Sequence, residues 1–352
     1  MKIIFLLFSP FFVTSLIGQP QDYYNSAKNK KGEDLKSALH NIIKNHTLFP
    51  YTSSSTDVWD ILKLTDRDTS DTTLVELIYS GDKINGAQEY NNGSGWTREH
   101  IWAKSRGDFG TSLGAGTDVH ALRPCNNSIN STRNNRAFDE CINCNKVNYQ
   151  GSPSGNFTDN NLWTFEPRNE VKGDIARMLF YMATRYEQED GVDLELDDTI
   201  RSNTDKLPKH GVLTTLLYWN EIDSVDEKEE RRNEIIYSKF QKNRNPYIDY
   251  PELAYYVFGA KKNDVWMQEI IINTPEVKQK ECFTIKNHNQ RNYSLYNPTN
   301  QSEEIIIINA VGQIIERLNL KAFEEQTLQF KNSGIYFISG SNCSYSKKIV
   351  LR

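Results

Sequence analysis

Trp96-Thr97-Arg98-Glu99-His100-Ile101-Trp102 sets a carboxylate beside an imidazole between two tryptophans. A hard-cation ligand and a potential proton acceptor thus emerge together from an apolar setting. The turn cluster Asn91-Asn92-Gly93-Ser94-Gly95 delivers the chain into Trp96, which predicts a strand starting there. A second stretch, Asp118 to Asn135 (DVHALRPCNNSINSTRNN), is dense in Asn and Arg and has no carboxylate after Asp118. That composition suits a surface that accepts a phosphate and completes a metal shell. Asn126 to Asn135 lacks Pro and Gly and is long enough for a short helix, on which Asn130, Arg133 and Asn134 share a face at i, i+3 and i+4. Together the two stretches point to phosphodiester hydrolysis.

Outward from these stretches the pattern is α+β. Leu35, Leu39, Ile42 and Ile43 recur at helical spacing, whereas Leu74 to Tyr79 (LVELIY) is a short β-prone run closed by Ser80-Gly81. No βαβ unit repeats. The tract Gly107 to Gly116 (GDFGTSLGAG) lacks the Lys-Ser or Lys-Thr of a phosphate-cradling loop and reads as a connector. Val171, Ile175, Met178, Leu179, Met182 and Tyr186 predict an amphipathic core helix, and the acidic run Glu187 to Asp198 a solvated loop. Val212 to Trp219 and Arg232 to Phe240 read as two more helices, ended by a proline turn at Asn243 to Asp249. His120, between Val119 and Leu122, is expected to be buried and hydrogen-bonded.

With 352 residues, the chain has room for about two domains. Met1 to Gly18 (MKIIFLLFSPFFVTSLIG) has a lysine, a short apolar run and small residues at its end, the pattern of a secretory signal peptide. No later segment is apolar enough to span a bilayer, so a secreted, extracellular or cell-surface protein is expected, with no membrane span. Export permits disulfides, and five cysteines remain: Cys125, Cys141, Cys144, Cys282 and Cys343. Within the first three, structural zinc and a disulfide are both open; the last two could bridge a C-terminal module. Pro275 to Gln290 reads as a polar connection. After it come short strand-like runs: Tyr293 to Tyr296, Glu304 to Asn309, Ile314 to Leu320, Gln326 to Phe330, Gly334 to Ser339 and Lys347 to Leu351. They predict a small all-β sandwich, and a division into 1–18 (leader), 19–272 (catalytic domain) and 273–352 (β domain). The formal net charge of −5 excludes bulk polycation binding to nucleic acid. Locally, Trp96 to Gln150 carries seven Lys or Arg against five acids, enough for a focused phosphate grip.

Five motifs in order carry a resemblance: Arg98-Glu99-His100, Asp118 to Pro124, Asn130 to Asn135, Glu170 to Asp174 and Asn243 to Asp249. The span from about Tyr51 to Tyr256 resembles the bacterial endonuclease I family, whose members are exported ββα-metal nucleases. The resemblance implies a ββα-metal core surrounded by helices, and cleavage of DNA, with RNA a further substrate. It implies His100 as general base and Glu99 and Asn130 as ligands of Mg²⁺, with Ca²⁺ or Mn²⁺ as alternatives. Its phosphate-holding arginine falls in a variable segment, leaving Arg106 and Arg133 as candidates. Ala121 stands where many members have a second histidine, so no role transfers there. The C-terminal end, Gly334 to Ile338 followed by Lys347 to Leu351, resembles the sorting domain of type IX secretion cargo, which implies the secretion machinery as a partner.

The expectation is therefore a monomeric, secreted, sequence-nonspecific endonuclease that leaves 5′-phosphate ends. The contrasting reading is an exported nucleic-acid-binding or adhesion protein whose nuclease-like domain no longer cuts. A metallopeptidase is disfavoured, since no His-Glu-x-x-His occurs.

Overall fold

The computed structural model describes residues 19–187, 191–267, 281–289, 291–309, 313–341 and 346–351. The leader at Met1 to Gly18 lies outside the described residues. The chain divides into two compact units, Met1–Glu269 and Ile270–Arg352.

In the first unit, α1 (Gly32–Ile43) buries Leu35, Leu39 and Ile43 on one side. α2 (Val58–Thr65) starts from a capping box in which Asp57 and Asp60 satisfy the first free backbone N–H groups. β1 (Leu74–Glu76) pairs with β2 (Lys83–Asn85), and β3 (Trp96–His100) with β4 (Leu122–Asn126), both antiparallel. α3 (Asn127–Arg133) follows β4 without a break. β5 (Ala137–Phe138), β6 (Asn145–Tyr149), β7 (Ser152–Asp159) and β8 (Thr164–Glu166) form a sheet of order β5-β8-β7-β6. Then come α4 (Lys172–Arg185), the parallel pair β9 (Glu195–Asp197) and β10 (Lys209–Val212), and the helices α5 (Leu213–Ile222), α6 (Glu227–Ile235), α7 (Pro246–Asp249) and α8 (Leu253–Val257). α6 runs on into a π-helical turn at Ile236–Phe240. Asn245 caps α7 and Pro246 occupies its first position, where a missing N–H costs nothing.

Three details differ from the sequence pattern. α4 is not amphipathic: all of its residues are buried. Its charged side chains go inside because each finds a partner, Arg177 with Glu229 at 2.6 Å, Asp174 with Arg123 at 3.1 Å and Lys172 with Glu166 at 2.7 Å. The β-prone run after Leu74 stops at Glu76, and Leu77, Ile78 and Tyr79 turn into the core. The acidic run is partly structured, since Glu195–Asp197 pairs with β10 and Lys36 bridges Glu187 and Glu195 at 2.7 and 2.9 Å.

Cys141 and Cys144 form a disulfide and Cys125 is a buried free thiol, so these cysteines are not joined in a zinc site.

The second unit is all β. β11 (Thr284–Asn289), β12 (Asn292–Tyr296) and β15 (Glu325–Gln329) form one antiparallel sheet. β13 (Glu303–Asn309), β14 (Ile314–Leu320), β16 (Gly334–Gly340) and β17 (Ser346–Leu351) form the other, of order β14-β13-β16-β17. Phe283, Tyr293, Leu295 and Leu328 from the first sheet's side meet Ile305, Ile307, Ile338 and Ile349 from the second in one apolar cluster. β11 lies in the stretch read as a polar connection; its exposed, polar residues give no apolar alternation to detect. Cys282 is disulfide-bonded, and its expected partner Cys343 lies outside the described residues.

Candidate active site

The hairpin β3–β4 and the helix α3 meet at a cleft of about 470 Å³ lined in part by Tyr51, Glu99, His100, Lys104, Asn130 and Arg133. The hairpin is anchored by its apolar end: Trp96 is fully buried, donates its indole N–H to the Gly86 carbonyl at 3.0 Å and packs edge-on against Trp59. Register places Glu99 opposite Arg123 and His100 opposite Leu122. Asn126 ends the strand and starts the helix, its side-chain oxygen accepting from the Ser128 and Ile129 N–H groups at 2.8 and 3.3 Å. α3 then carries Asn130 to the cleft one turn later.

His100 is held on two sides. Its Nε2 lies 3.0 Å from the Gly116 carbonyl oxygen. A carbonyl only accepts, so Nε2 carries the proton and Nδ1 is the basic nitrogen. The ring stacks on Tyr51 at 5.5 Å, and Arg98 lies over the Tyr51 and Trp59 rings at 3.4 and 4.0 Å. Arg98 also donates to the Tyr51 carbonyl and the Thr52 hydroxyl, which fixes this column. Burial pushes the His100 pKa down to about 3, against the Gly116 bond and with added repulsion from Lys104, Arg98 and Arg133. The imidazole is thus neutral at neutral pH, with Nδ1 unprotonated. The glycine-rich tract is therefore more than a connector. A Cβ at Gly116 would meet the Ser112 and Gly110 carbonyl oxygens at 2.7 and 2.8 Å.

Glu99 is buried, and its Oε1 accepts from the Tyr79 hydroxyl at 2.7 Å and pairs with Arg133 at 3.3 Å. Burial raises its pKa, opposed by the charge of Arg133 and the bond from Tyr79. Oε2 has no side-chain partner among the described residues, and neither does the Asn130 amide, which reaches the same cleft. One carboxylate oxygen and one amide oxygen without side-chain partners at a polar cleft fit a hard divalent cation that retains several waters.

The two arginines are placed differently. Arg133 lines the cleft, but it is 1% exposed and donates to the His100 and Asn134 carbonyls at 3.0 and 3.1 Å, to the Ile101 carbonyl and to His210 at 3.0 Å. Arg106 is not brought into the cleft lining. Its guanidinium donates to the Asp205, Asn135 and Arg201 carbonyls at 2.7, 3.0 and 3.2 Å, tying the turn after β3 to the segment before β10. Sequence reading missed Tyr79, Tyr51, Gly116 and Lys104. Only Lys104, four residues beyond His100 in a locally basic segment, left a charge signal.

His120 is buried with Nε2 3.2 Å from the Asn243 carbonyl, a brace beneath the site. A second cavity, of about 50 Å³, lies among Asp66, Arg123, Asp174, Glu229 and Arg232, whose charges largely pair with one another.

A neutral histidine, an oxygen-rich pair of ligands and fixed positive charge in one cleft define the class: a hydrolase acting on an anionic, phosphate-bearing substrate. The sequence matches the endonuclease I family over residues 31–252, and the chain belongs to that family. It is therefore a nuclease, an enzyme of phosphodiester hydrolysis. Two similar proteins are named extracellular ribonuclease. That of Bacillus subtilis (strain 168) is 48% identical over 233 residues, 66% of this chain and 76% of the relative. That of Bacillus amyloliquefaciens is 49% identical over 237 residues, 66% of this chain and 77% of the relative.

Proposed function

We propose that the chain is a secreted endonuclease without sequence preference that hydrolyses RNA and DNA to 5′-phosphate and 3′-hydroxyl ends. The observation that carries this reading is the convergence of His100, Glu99 and Asn130 on one cleft, with the His100 Nδ1 left unprotonated. His100 acts as the general base: Nδ1 takes a proton from water as the water oxygen attacks phosphorus, while the Gly116 carbonyl keeps the ring oriented. The P–O3′ bond breaks and the 3′ oxygen takes a proton from water. Glu99 and Asn130 would hold Mg²⁺, which would supply charge neutralisation for the phosphodiester as the bond breaks. Tyr79 and Arg133 hold the Glu99 carboxylate in place.

The name of the two relatives supports RNA as a substrate. It also supports export, as does the leader-like Met1 to Gly18. No helix among the described residues is long and apolar enough to cross a membrane. The second unit, outside the family match, serves in this reading as the address for type IX secretion.

The test compares the wild-type chain with His100→Ala on plasmid DNA and on single-stranded RNA, with Mg²⁺ and with EDTA. Loss of a general base is expected to cost about 10²- to 10⁴-fold in rate, with substrate binding retained. EDTA should abolish cleavage. A variant within about threefold of wild type would remove His100 from the mechanism, since a general base contributes about a hundredfold or more.

A further inference from the structure

We propose that Lys104 is the residue that grips the scissile phosphate, the role for which Arg106 and Arg133 were the sequence candidates. The inference rests on the nuclease reading above and names a substrate contact within it. Three cationic side chains line the cleft: Arg98, Lys104 and Arg133. Arg98 is 8% exposed, sandwiched between Tyr51 and Thr52 contacts, and Arg133 is committed to carbonyls, His210 and Glu99. Neither guanidinium has its fork free. Lys104 is exposed, and no hydrogen bond or ion pair engages it among the described residues. It sits in the turn directly after β3, and its charge acts on both Glu99 and His100.

Physical chemistry favours this choice. A buried arginine bonded to several carbonyls would have to abandon them to reach a phosphate, leaving buried acceptors unpaired at a cost of about 1–3 kcal/mol each. An exposed lysine loses only hydration and side-chain freedom, and a flexible ammonium serves as a point charge for a phosphate oxygen whose position shifts during reaction. Because Lys104 follows His100 by four residues, the base and the grip ride on one short segment. A backbone contact of this kind carries no base information, in keeping with cleavage that does not depend on sequence.

The test uses the full chain and its Lys104→Ala and Lys104→Arg variants. Each is assayed for kcat and KM on single-stranded RNA and on duplex DNA. Binding of a fluorescein-labelled single-stranded RNA is also followed between about 50 and 200 mM salt in a His100→Ala background. Lys104 is exposed, so unchanged thermal melting is expected and reports that the fold is intact. Lys104→Ala should lower kcat/KM by about 10- to 100-fold, the range for one lost charge-assisted bond. The slope of log affinity against log salt should become shallower by about 0.7, the release from one phosphate of a single strand. Lys104→Arg should restore activity to within about threefold, because either cation neutralises the phosphate. The inference falls if Lys104→Ala stays within about twofold of wild type or loses activity with an unchanged salt slope, since the slope counts phosphate contacts. It also falls if Lys104→Arg is as poor as Lys104→Ala, which would point to proton transfer by the ammonium. A wild-type chain that cleaves neither substrate would remove the proposed function, and this inference with it.

Discussion

Glu99 is a carboxylate kept away from water, and an ion in that position persists only with compensating charge and hydrogen bonds. Tyr79 and Arg133 supply part of that compensation, and in the proposed function a divalent cation supplies the rest. Glu99→Gln and Asn130→Ala should therefore each move the midpoint of a Mg²⁺ activity titration upward by about tenfold or more. An unchanged midpoint would remove that residue as a ligand. Arg106 leads to a different expectation. Arg106→Ala deprives one buried and two part-buried carbonyls of their donor and should lower stability by about 1–3 kcal/mol in urea unfolding, while the folded fraction keeps the wild-type salt dependence of binding. A change in salt slope with unaltered stability would contradict this placement. At this scale the sequence singled out residues that the structure brings to one cleft, Glu99, His100, Asn130 and Arg133, but not which cations stay accessible. Arginines are mostly exposed in proteins at large, and nothing local marks Arg106 and Arg133 as buried here.

The loop that ends at Gly116 is as much part of the site as the strand bearing His100. Gly116→Ala has no room for its methyl group, so the backbone must shift and the carbonyl bonded to Nε2 with it. Activity should fall by about tenfold or more in kcat with little change in KM, the pattern of a displaced base. An equal loss in KM would indicate a wider collapse of the cleft. Two residues on, Asp118 anchors this loop by accepting from Tyr181 and Tyr186 at 2.8 Å and from Gln241 at 3.0 Å. Burial alone would raise its pKa, but the imidazoles of His46 and His120, cationic once protonated in acid, and these donors hold it at about 2. The unfolded value is about 3.9, so the stabilisation, about 2.5 kcal/mol, is complete above pH 4 and is lost as pH falls toward 2. Asp118→Asn should be less stable at pH 7 yet show a flatter decline of melting temperature in that acid window, as thermal unfolding across pH would reveal. Parallel curves would show that Asp118 does not titrate with folding. The strand at Trp96 and the helix after Asn126 were legible because turn and cap residues mark their starts. The loop's role was not, because a carbonyl has no side-chain signature.

Each unit has its own apolar cluster, and all the cleft residues lie in the first. Ile270 to Arg352 carries ten bases and seven acids, net +3, which leaves −8 for the rest of the chain, so the units also differ electrostatically. A chain ended at Glu269 should fold cooperatively and keep nuclease activity within about threefold, yet remain inside the native cell if the second unit is the export address. Loss of most activity in a folded truncation would instead assign substrate binding to the second unit, and normal export would remove the secretion role. The β unit was legible because its strands alternate between turns. In the first unit, two-residue β5 offers no periodicity, and α4 conceals its burial behind charges whose partners are distant in sequence.

Cys125 sits on β4 opposite Thr97, fully buried, with its thiol pKa raised well above the ordinary value by burial. Native packing thus makes it a silent sulfur, and an aromatic disulfide reagent can reach it only when the β3–β4 hairpin parts. Its labelling rate is consequently a clock for local opening of the site, separable from global unfolding. Nucleotide bound across Glu99 and Asn130 should slow that clock.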